Sequence, residues 1–497
     1  MAKLESFSSR WGVVLAGLGM AVGTGNMWRF PRIAAENGGA AFLIPWFLFL
    51  FIWSIPLLIA EFAIGRGTRR GAVGAFATLT GGRFAWMGGF VAVVTVMILF
   101  YYSVVTGWTL RYLVAAMIGD FHSANPQEYW DAAASGWQAG AYHVVSALVG
   151  AWIIQRGVVR GIEAANRVLV PALFVLLIIS VVRAVSLPGA ERGLEFLFNP
   201  DLSSLTNYKT WLEALTQSAW STGAGWGLIL TFGIYLKKRE DVVLNSVTIG
   251  FGDNSASLLA GLAMLPVVFA ILSLQDAHAA LQSGNEGLMF IWVPQLFERM
   301  AGGGIMLPVF FLALACAALS SLIAMIELAA RILMDSGMAR RKAVRIVTAA
   351  IIVVGMPSAL NLTIFKNQDW VWGVGLMISG LFISLLVTMY GSAKFLKDFV
   401  NVTPGGMRVG RAFELVLKYL IPAQFVVMFG WWMYTAATEY DSAGWWNPDP
   451  INHTFSVGTC VVQWAVALTL LMAFNKRIAA ASTSQPIESA DEDEVVS

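Results

Sequence analysis

The sequence predicts an all-α membrane protein with about twelve transmembrane helices. Three observations predict it. The 497 residues are 58% hydrophobic and only 12% charged, whereas a soluble domain carries about 25% charged residues. Apolar runs near the roughly 20 residues needed to cross hydrocarbon recur along nearly the whole chain. They start near residues 12, 41, 86, 141, 165, 210, 241, 304, 342, 371, 412 and 456. Between them, Lys and Arg crowd onto alternate connections, the pattern of basic loops retained on one side of a bilayer.

Taken in order, the N-terminal tail (1–11) carries Lys3 and Arg10. It is too polar and acidic for a cleaved signal, so the first span is expected to be its own insertion signal. The turn with Arg66, Arg69 and Arg70 falls on the same side, as do LKKRE (236–240), ARRKAVR (339–345), the 394–411 connection and Lys476–Arg477. That side holds about two thirds of the basic residues, while 119–140 and 439–455 hold none. Both termini are therefore expected in the cytoplasm. The last stretch (479–497) is small, polar and acidic and reads as a disordered tail.

The same composition excludes several functions. A net charge of +2 with no basic patch gives nucleic acid no footing. Cys316 and Cys460 lie in apolar spans, so neither a disulfide framework nor a metal-type cysteine pair is expected. The histidines (His122, His143, His278, His453) map to the outer face or its edge, where solvation is the expectation. No Gly-Lys dipeptide, and hence no Walker phosphate loop, occurs. No Ser/His/Asp, HExxH or paired-carboxylate arrangement is present, so the chain is not expected to be an enzyme.

Two spans contradict their surroundings. GLGMAVGTGNMWRFPRIAAENGG (17–39) opens on glycines and continues into Asn26, Arg29, Pro31, Arg32 and Glu36. LTQSAWSTGAGWGLILTFGIY (215–235) is apolar, then Ser221, Thr222, Gly223, Gly225 and Gly227, then apolar again. Hydrocarbon offers no hydrogen bonds, so unwound backbone survives there only beside protein or a polar cavity. Glycine stripes alone serve helix packing as well, but Asn26 and Arg29 in the same segment point to a site. The breaks fall in the first and sixth spans. Interrupted segments in matching positions of two halves are the sequence sign of a transporter binding site.

On these residues the chain resembles the neurotransmitter:sodium symporter family, in its bacterial amino-acid branch. The resemblance rests on AVGTGNMWRFP (21–31), ENGGAAFLIP (36–45), the pair Tyr101–Tyr102, STGAGWG (221–227) and AALSS (317–321). It implies a LeuT fold: two inverted five-helix repeats (12–190 and 191–400) with unwound first and sixth helices, followed by two peripheral helices (401–478). It also implies sodium-driven uptake of a small amine or amino acid across a bacterial inner membrane.

The resemblance further implies two sodium sites. The first would use the Ala21 carbonyl, Asn26, Ser221, Asp253 and the substrate carboxylate. The second would use the carbonyls of Gly19, Val22 and Ala317 with the hydroxyls of Ser320 and Ser321. Relatives that bind chloride carry Asn at the position of Asp253 and Tyr at that of Trp46; here Gln217, Ser221 and Ser257 are kept. A fixed carboxylate supplies the negative charge that two cations need in a low dielectric, so chloride is not expected. A corollary is that Asp253 takes up a proton once sodium leaves.

Gly23 stands where monoamine carriers place an Asp, so the substrate is expected to bring its own carboxylate, an α-amino acid. Its carboxylate would meet the amides of Thr24 and Gly25 at a half-helix N-terminus and the Tyr102 hydroxyl, with the ammonium near Ala21, Trp220 and Ser221. Met20, Ile98, Trp220, Gly223, Trp226, Ser321 and Met325 would line a pocket without charge, favouring a hydrophobic or aromatic L-amino acid. Arg29 and Asp369, with Tyr102 and Trp220, resemble the outer gate; Tyr235 and Asp335 resemble the inner one. The family's N-terminal arginine is missing, with Leu4 in its slot beside Lys3. Gly161 and Pro171 resemble the motif that lets the fifth helix unwind. An amino-acid-sensing receptor and a proton-coupled carrier remain alternatives on the same fold.

Overall fold

The computed structural model describes residues 5–123 and 125–485, and among them regular structure is entirely helical. The helices are α1 (Arg10–Ala21), α2 (Thr24–Glu36), α3 (Ala40–Thr68), α4 (Ala85–Ile118), α5 (Trp137–Ile154), α6 (Val158–Val185), α7 (Tyr208–Ser221) and α8 (Leu228–Gly233). They continue with α9 (Val242–Ile271), α10 (Gly303–Asp335), α11 (Arg340–Leu360), α12 (Leu362–Tyr390), α13 (Arg411–Tyr440), α14 (Val457–Ala473) and α15 (Asn475–Ser482).

Among the described residues, 8 helices are long and apolar enough to cross a membrane, and 9 if α14 and α15, bent by 68°, count as one span. The other three expected spans fall short for local reasons. Two are split into shorter pieces, α1/α2 and α7/α8. The third, α5, has only 18 residues, and Gln138, Tyr142 and His143 dilute its apolar surface. Two helices begin earlier than hydropathy suggests. In α6 a wide π turn at Val158–Glu163 precedes the apolar run. In α12 the first turns (LTIFKNQDW) are polar, yet helical because the Asn361 side chain accepts from Thr363 N at 2.8 Å and from Ile364 N at 3.3 Å.

Burial sorts centre from periphery. The most apolar window of α10 is 83% buried, against 28% for α6 and 28% for α13. α10 packs on α4, α6 and α11, while α9 packs on α6 and α2, so the two broken spans sit inside a wall of continuous helices. Outward, Val168, Val182, Val353 and Val426 are exposed. Such an apolar exterior belongs against hydrocarbon rather than water. His143 departs from expectation: it is buried in α5, with Nδ1 hydrogen-bonded to Ser103 Oγ at 2.9 Å.

Candidate functional site

The first break is short. α1 stops at Ala21, Val22 takes φ −76°, ψ 89°, Gly23 is extended, and α2 starts at Thr24. Val22 N still donates to the Leu18 carbonyl at 2.7 Å. Gly23 N turns instead to Asn26 Oδ1 at 2.9 Å, and Thr24 N to the Tyr102 hydroxyl at 3.3 Å. The carbonyls of Gly19, Met20 and Ala21 therefore end a helix without the usual partners four residues on.

The second break is longer. After Ser221 the chain passes through Gly223, Gly225 and Gly227 at φ +66°, +89° and +78° before α8 begins. Only glycine adopts that region freely. The amides released here are caught by Glu61 of α3, whose carboxylate accepts from Gly225 N at 2.5 Å and Leu230 N at 3.1 Å.

Between the breaks lies a cavity. Every expected substrate-binding residue lines it: Met20, Ala21, Thr24, Gly25, Ile98, Tyr102, Trp220, Ser221, Gly223, Trp226, Ser321 and Met325. Sequence reasoning missed Val105 and Phe365 on its wall, and Tyr101, Asn285 and Glu286 toward Asp369.

Beside the cavity Asn26, Ser221, Asp253 and Ser257 meet in a buried cluster. Asn26 Nδ2 lies 2.9 Å from Ser221 Oγ, 2.7 Å from Asp253 Oδ1, 2.8 Å from Ser257 Oγ and 3.4 Å from the Asp253 carbonyl. Ser221 Oγ donates to Asp253 Oδ2 at 2.6 Å. An amide nitrogen carries two hydrogens, so four oxygens exceed what it can serve. Asn26 Oδ1 accepts from Gly23 N at 2.9 Å, which fixes the amide with its nitrogen toward the cluster and leaves the Ser221, Ser257 and Asp253 oxygens as the donor set. An all-oxygen set with one carboxylate suits a hard monovalent cation. Neither thiolate nor imidazole is among the donors.

Part of the second expected set comes together, Ser321 with the end of α1. Ser321 Oγ lies 3.3 Å from the Gly19 carbonyl and 3.2 Å from that of Met20. Ser320 Oγ donates back to Ala317 at 3.0 Å. The end of α1 thus meets the middle of α10 through hydroxyls and bare carbonyls, again a hard-cation donor set.

Comparison with known proteins decides the family. The sodium:neurotransmitter symporter family matches residues 4–139 and 132–481. The chain belongs to the sodium:neurotransmitter symporter family. It is 34% identical over 369 residues to an uncharacterized sodium-dependent transporter of Methanocaldococcus jannaschii, covering 70% of this chain and 74% of that one. It is 30% identical over 449 residues to the uncharacterized sodium-dependent transporter YhdH of Bacillus subtilis, covering 86% and 97%. Among solved structures, MhsT in complex with L-phenylalanine superposes with a TM-score of 0.76 at 31% identity, over 86% of this chain and 99% of that chain. The symporter therefore has the LeuT fold, is an integral membrane protein and sodium-dependent transporter, and is not an enzyme.

Both ends of the symporter carry ionic closures, wired differently from expectation. Outside, Arg29 and Asp369 share the cavity wall, yet Arg29 donates to Gln217 Oε1 at 2.7 Å and pairs with Glu213 at 3.5 Å rather than with Asp369. Its guanidinium sits 5.0 Å over the Trp220 ring, while Asp369 is held by the Tyr101 hydroxyl. The reason is position: Glu213 and Gln217 stand one turn apart on α7, facing α2.

Inside, Asp335 pairs with Arg331 at 2.7 Å and accepts from Gly71 N at 2.7 Å. Tyr235 donates to Glu327, which pairs with Arg340 at 2.6 Å. Leu4 and Lys3 lie outside the described residues; the tail's contribution is Glu5, 3.9 Å from Arg340. Among the described residues this pair sets the acid on the tail and the base on α11. Phe7 N bonds the Tyr235 carbonyl at 3.0 Å, and Ser8 Oγ bonds Glu163 of α6 at 2.5 Å. Gly161 and Pro171 lie in α6, which is wound through both, its π turn containing Gly161. Glu327 was legible as a carboxylate in an apolar span, a costly placement that demands a partner.

Proposed function

We propose that the symporter imports a neutral hydrophobic or aromatic L-amino acid together with sodium, by alternating access and without chloride. The observation that carries this reading is Gly23. A side chain there would meet Ser321 Oγ at 2.9 Å and the Tyr102 hydroxyl at 3.1 Å. The position is thus bare backbone facing hydroxyls, fit to receive a carboxylate beside the amides of Thr24 and Gly25 at the start of α2. The charged wall residues Arg29, Glu286 and Asp369 lie beyond the breaks, so the remaining lining of Met20, Ile98, Val105, Trp226, Met325 and Phe365 favours an uncharged side chain. The neighbour MhsT, solved with L-phenylalanine, supports an aromatic-sized occupant.

Ala21, Asn26, Ser221 and Asp253 would hold one sodium ion; Gly19, Val22, Ala317, Ser320 and Ser321 would hold a second. When bound, the ions supply positive charge that favours an anionic substrate group. Asp253 supplies the counter-charge. Its carboxylate already occupies the Ser221 and Asn26 donors, which leaves an anion fewer of them. Released from its cation, Asp253 takes up a proton and returns it on the reverse stroke. With the tail closed over Tyr235 and the cavity reaching Asn285 and Asp369, the conformation is closed on the basic side. We take that side as cytoplasmic, in a bacterial inner membrane. Residues 12–190 and 191–400 then form the two repeats and 401–478 the periphery.

The test is uptake of a panel of radiolabelled amino acids into proteoliposomes under an inward sodium gradient. Accumulation of Phe, Trp or Leu that collapses without the gradient and persists in gluconate is expected. Binding without accumulation would make the chain a sensor; equal uptake without sodium would make it a proton-coupled or uncoupled carrier.

A further inference from the structure

The second cation site has a polar neighbour on α6, the helix for which the sequence suggested only a hinge. Asn166 is buried, and its amide has a fixed orientation: Nδ2 donates to the Ile162 carbonyl at 2.9 Å. The reversed amide would set oxygen against oxygen, so Oδ1 is the atom that faces away from α6's own backbone. That oxygen is buried and has no hydrogen-bond partner among the described residues. Buried acceptors are almost always satisfied, so an orphan points to a partner of another kind.

Oδ1 points at Gly19. A side chain on Gly19 would overlap it outright and would lie 3.1 Å from Ser320 Cβ. The glycine at the end of α1 is therefore clasped between Asn166 of α6 and Ser320 of α10. The carbonyl of that same glycine lies 3.3 Å from Ser321 Oγ. Three helices bring oxygens to this end of α1: the carbonyls of Gly19 and Met20, met by the single Ser321 hydroxyl, the hydroxyls of α10, and the amide oxygen of α6 with nothing to accept from. A hard cation collects about six such oxygens.

We propose that Asn166 Oδ1 is an additional oxygen ligand of the sodium ion at the second site, so that the ion bridges α6 to α1 and α10. The inference rests on the sodium-coupled reading above and deepens it. It also gives α6 a direct stake in occupancy, since Ile162, which anchors the amide, belongs to the π turn at Val158–Glu163.

The test uses the purified full-length symporter in detergent without substrate. Sodium is titrated against choline, and both thermal unfolding and tryptophan fluorescence are read. Asn166→Leu, which keeps the volume and removes the oxygen, should raise the half-saturating sodium about tenfold and shrink the sodium-induced gain in unfolding temperature. Asn166→Asp, which keeps an oxygen in place, should stay within about threefold of the parent. If Asn166→Leu does not fold, Asn166→Ala gives the same reading. The proposal is overturned if the Leu or Ala variant loses equal stability in sodium and in choline with its half-saturation unchanged, since Asn166 would then only pack. Ser320→Ala separates the two failures. A shift there without one at Asn166 sinks this proposal alone, whereas a parent protein indifferent to sodium sinks the underlying reading.

Discussion

Replacing Asp253 by Asn removes the one full negative charge in the oxygen cluster beside the cavity while keeping its shape. The carboxylate accepts from Ser221 Oγ at 2.6 Å and from Asn26 Nδ2 at 2.7 Å, so those groups are close enough to share one small cation with it. A unit charge about 4 Å from a cation at an effective dielectric near 20 contributes about 4 kcal/mol. Taken whole, that is nearly three decades of affinity. The amide retains one oxygen and the hydroxyls can re-aim, so a rise of about a hundredfold in half-saturating sodium is expected. Part of it should return when chloride replaces gluconate, because Ser221, Ser257 and the new amide can then donate to a mobile anion. The assay is sodium-dependent binding of a tritiated amino acid to the purified protein, titrated in sodium chloride and in sodium gluconate. The parent should give superimposable curves. An Asp253→Asn protein with parental sodium affinity in gluconate would refute the reasoning, because the carboxylate would then not be the counter-charge.

Other perturbations follow the same geometry. Gly23→Ala places a methyl against the Tyr102 hydroxyl and Ser321 Oγ, and should raise the substrate KM at least tenfold while sodium-induced stabilisation persists; radiolabelled uptake and a melting curve separate the two. Gly223→Ala is strained at φ +66° and crowds Met20; competition binding should show aromatic substrates losing more affinity than alanine. Glu61→Gln replaces a charge-assisted acceptor of two released amides by a neutral one and should cost about 2–4 kcal/mol, read as a lower unfolding temperature with or without sodium. Glu327→Gln discharges the partner of Arg340 and should loosen the tail, so that hydrogen exchange at residues 5–10 speeds up by about tenfold or more.

The site was more legible than its closures, and the reason is physical. A glycine run or an asparagine inside an apolar span violates the requirement that hydrocarbon-facing backbone satisfy itself, so the sequence alone exposes both breaks. Pockets built around breaks inherit their position, which is why the residues expected around Gly23 and Ser221 do line one cavity. Ion pairs are different. Arg29 has Glu213 and Asp369 both near enough to influence it, and the outcome turns on which face of α7 is presented to α2. No spacing in the chain encodes that rotation. At the closure on the basic side the sequence showed the family's tail arginine to be missing but not what stands in its place, the Glu5–Arg340 pair, because the two lie more than three hundred residues apart. His143 shows the same limit, since its partner Ser103 comes from a helix forty residues earlier.

On the proposed reading, the second sodium site and the closure on the basic side form one mechanical device. α1 is held to α6 at two heights: by Ser8 and Ser9, which reach Glu163 at 2.5 Å and 3.5 Å, and by Gly19 against Asn166. It is held to α10 by Ser321 on the carbonyls of Gly19 and Met20. Glu163 and Asn166 lie on the same stretch of α6, one turn apart, Glu163 closing the π turn and Asn166 following it. A cation at the second site strengthens the upper attachment without touching the lower one. Without a cation there, the upper attachment is reduced to the Ser321 contact, while the tail pins the lower end through the part-buried Ser8 and Ser9 contacts. Opening toward the basic side then needs those contacts, the Phe7–Tyr235 backbone bond and the Glu5–Arg340 pair to give way. On the proposed sodium reading, the order in which this end opens is set by ion release at the second site, since the cavity lining includes neither Glu163 nor the tail.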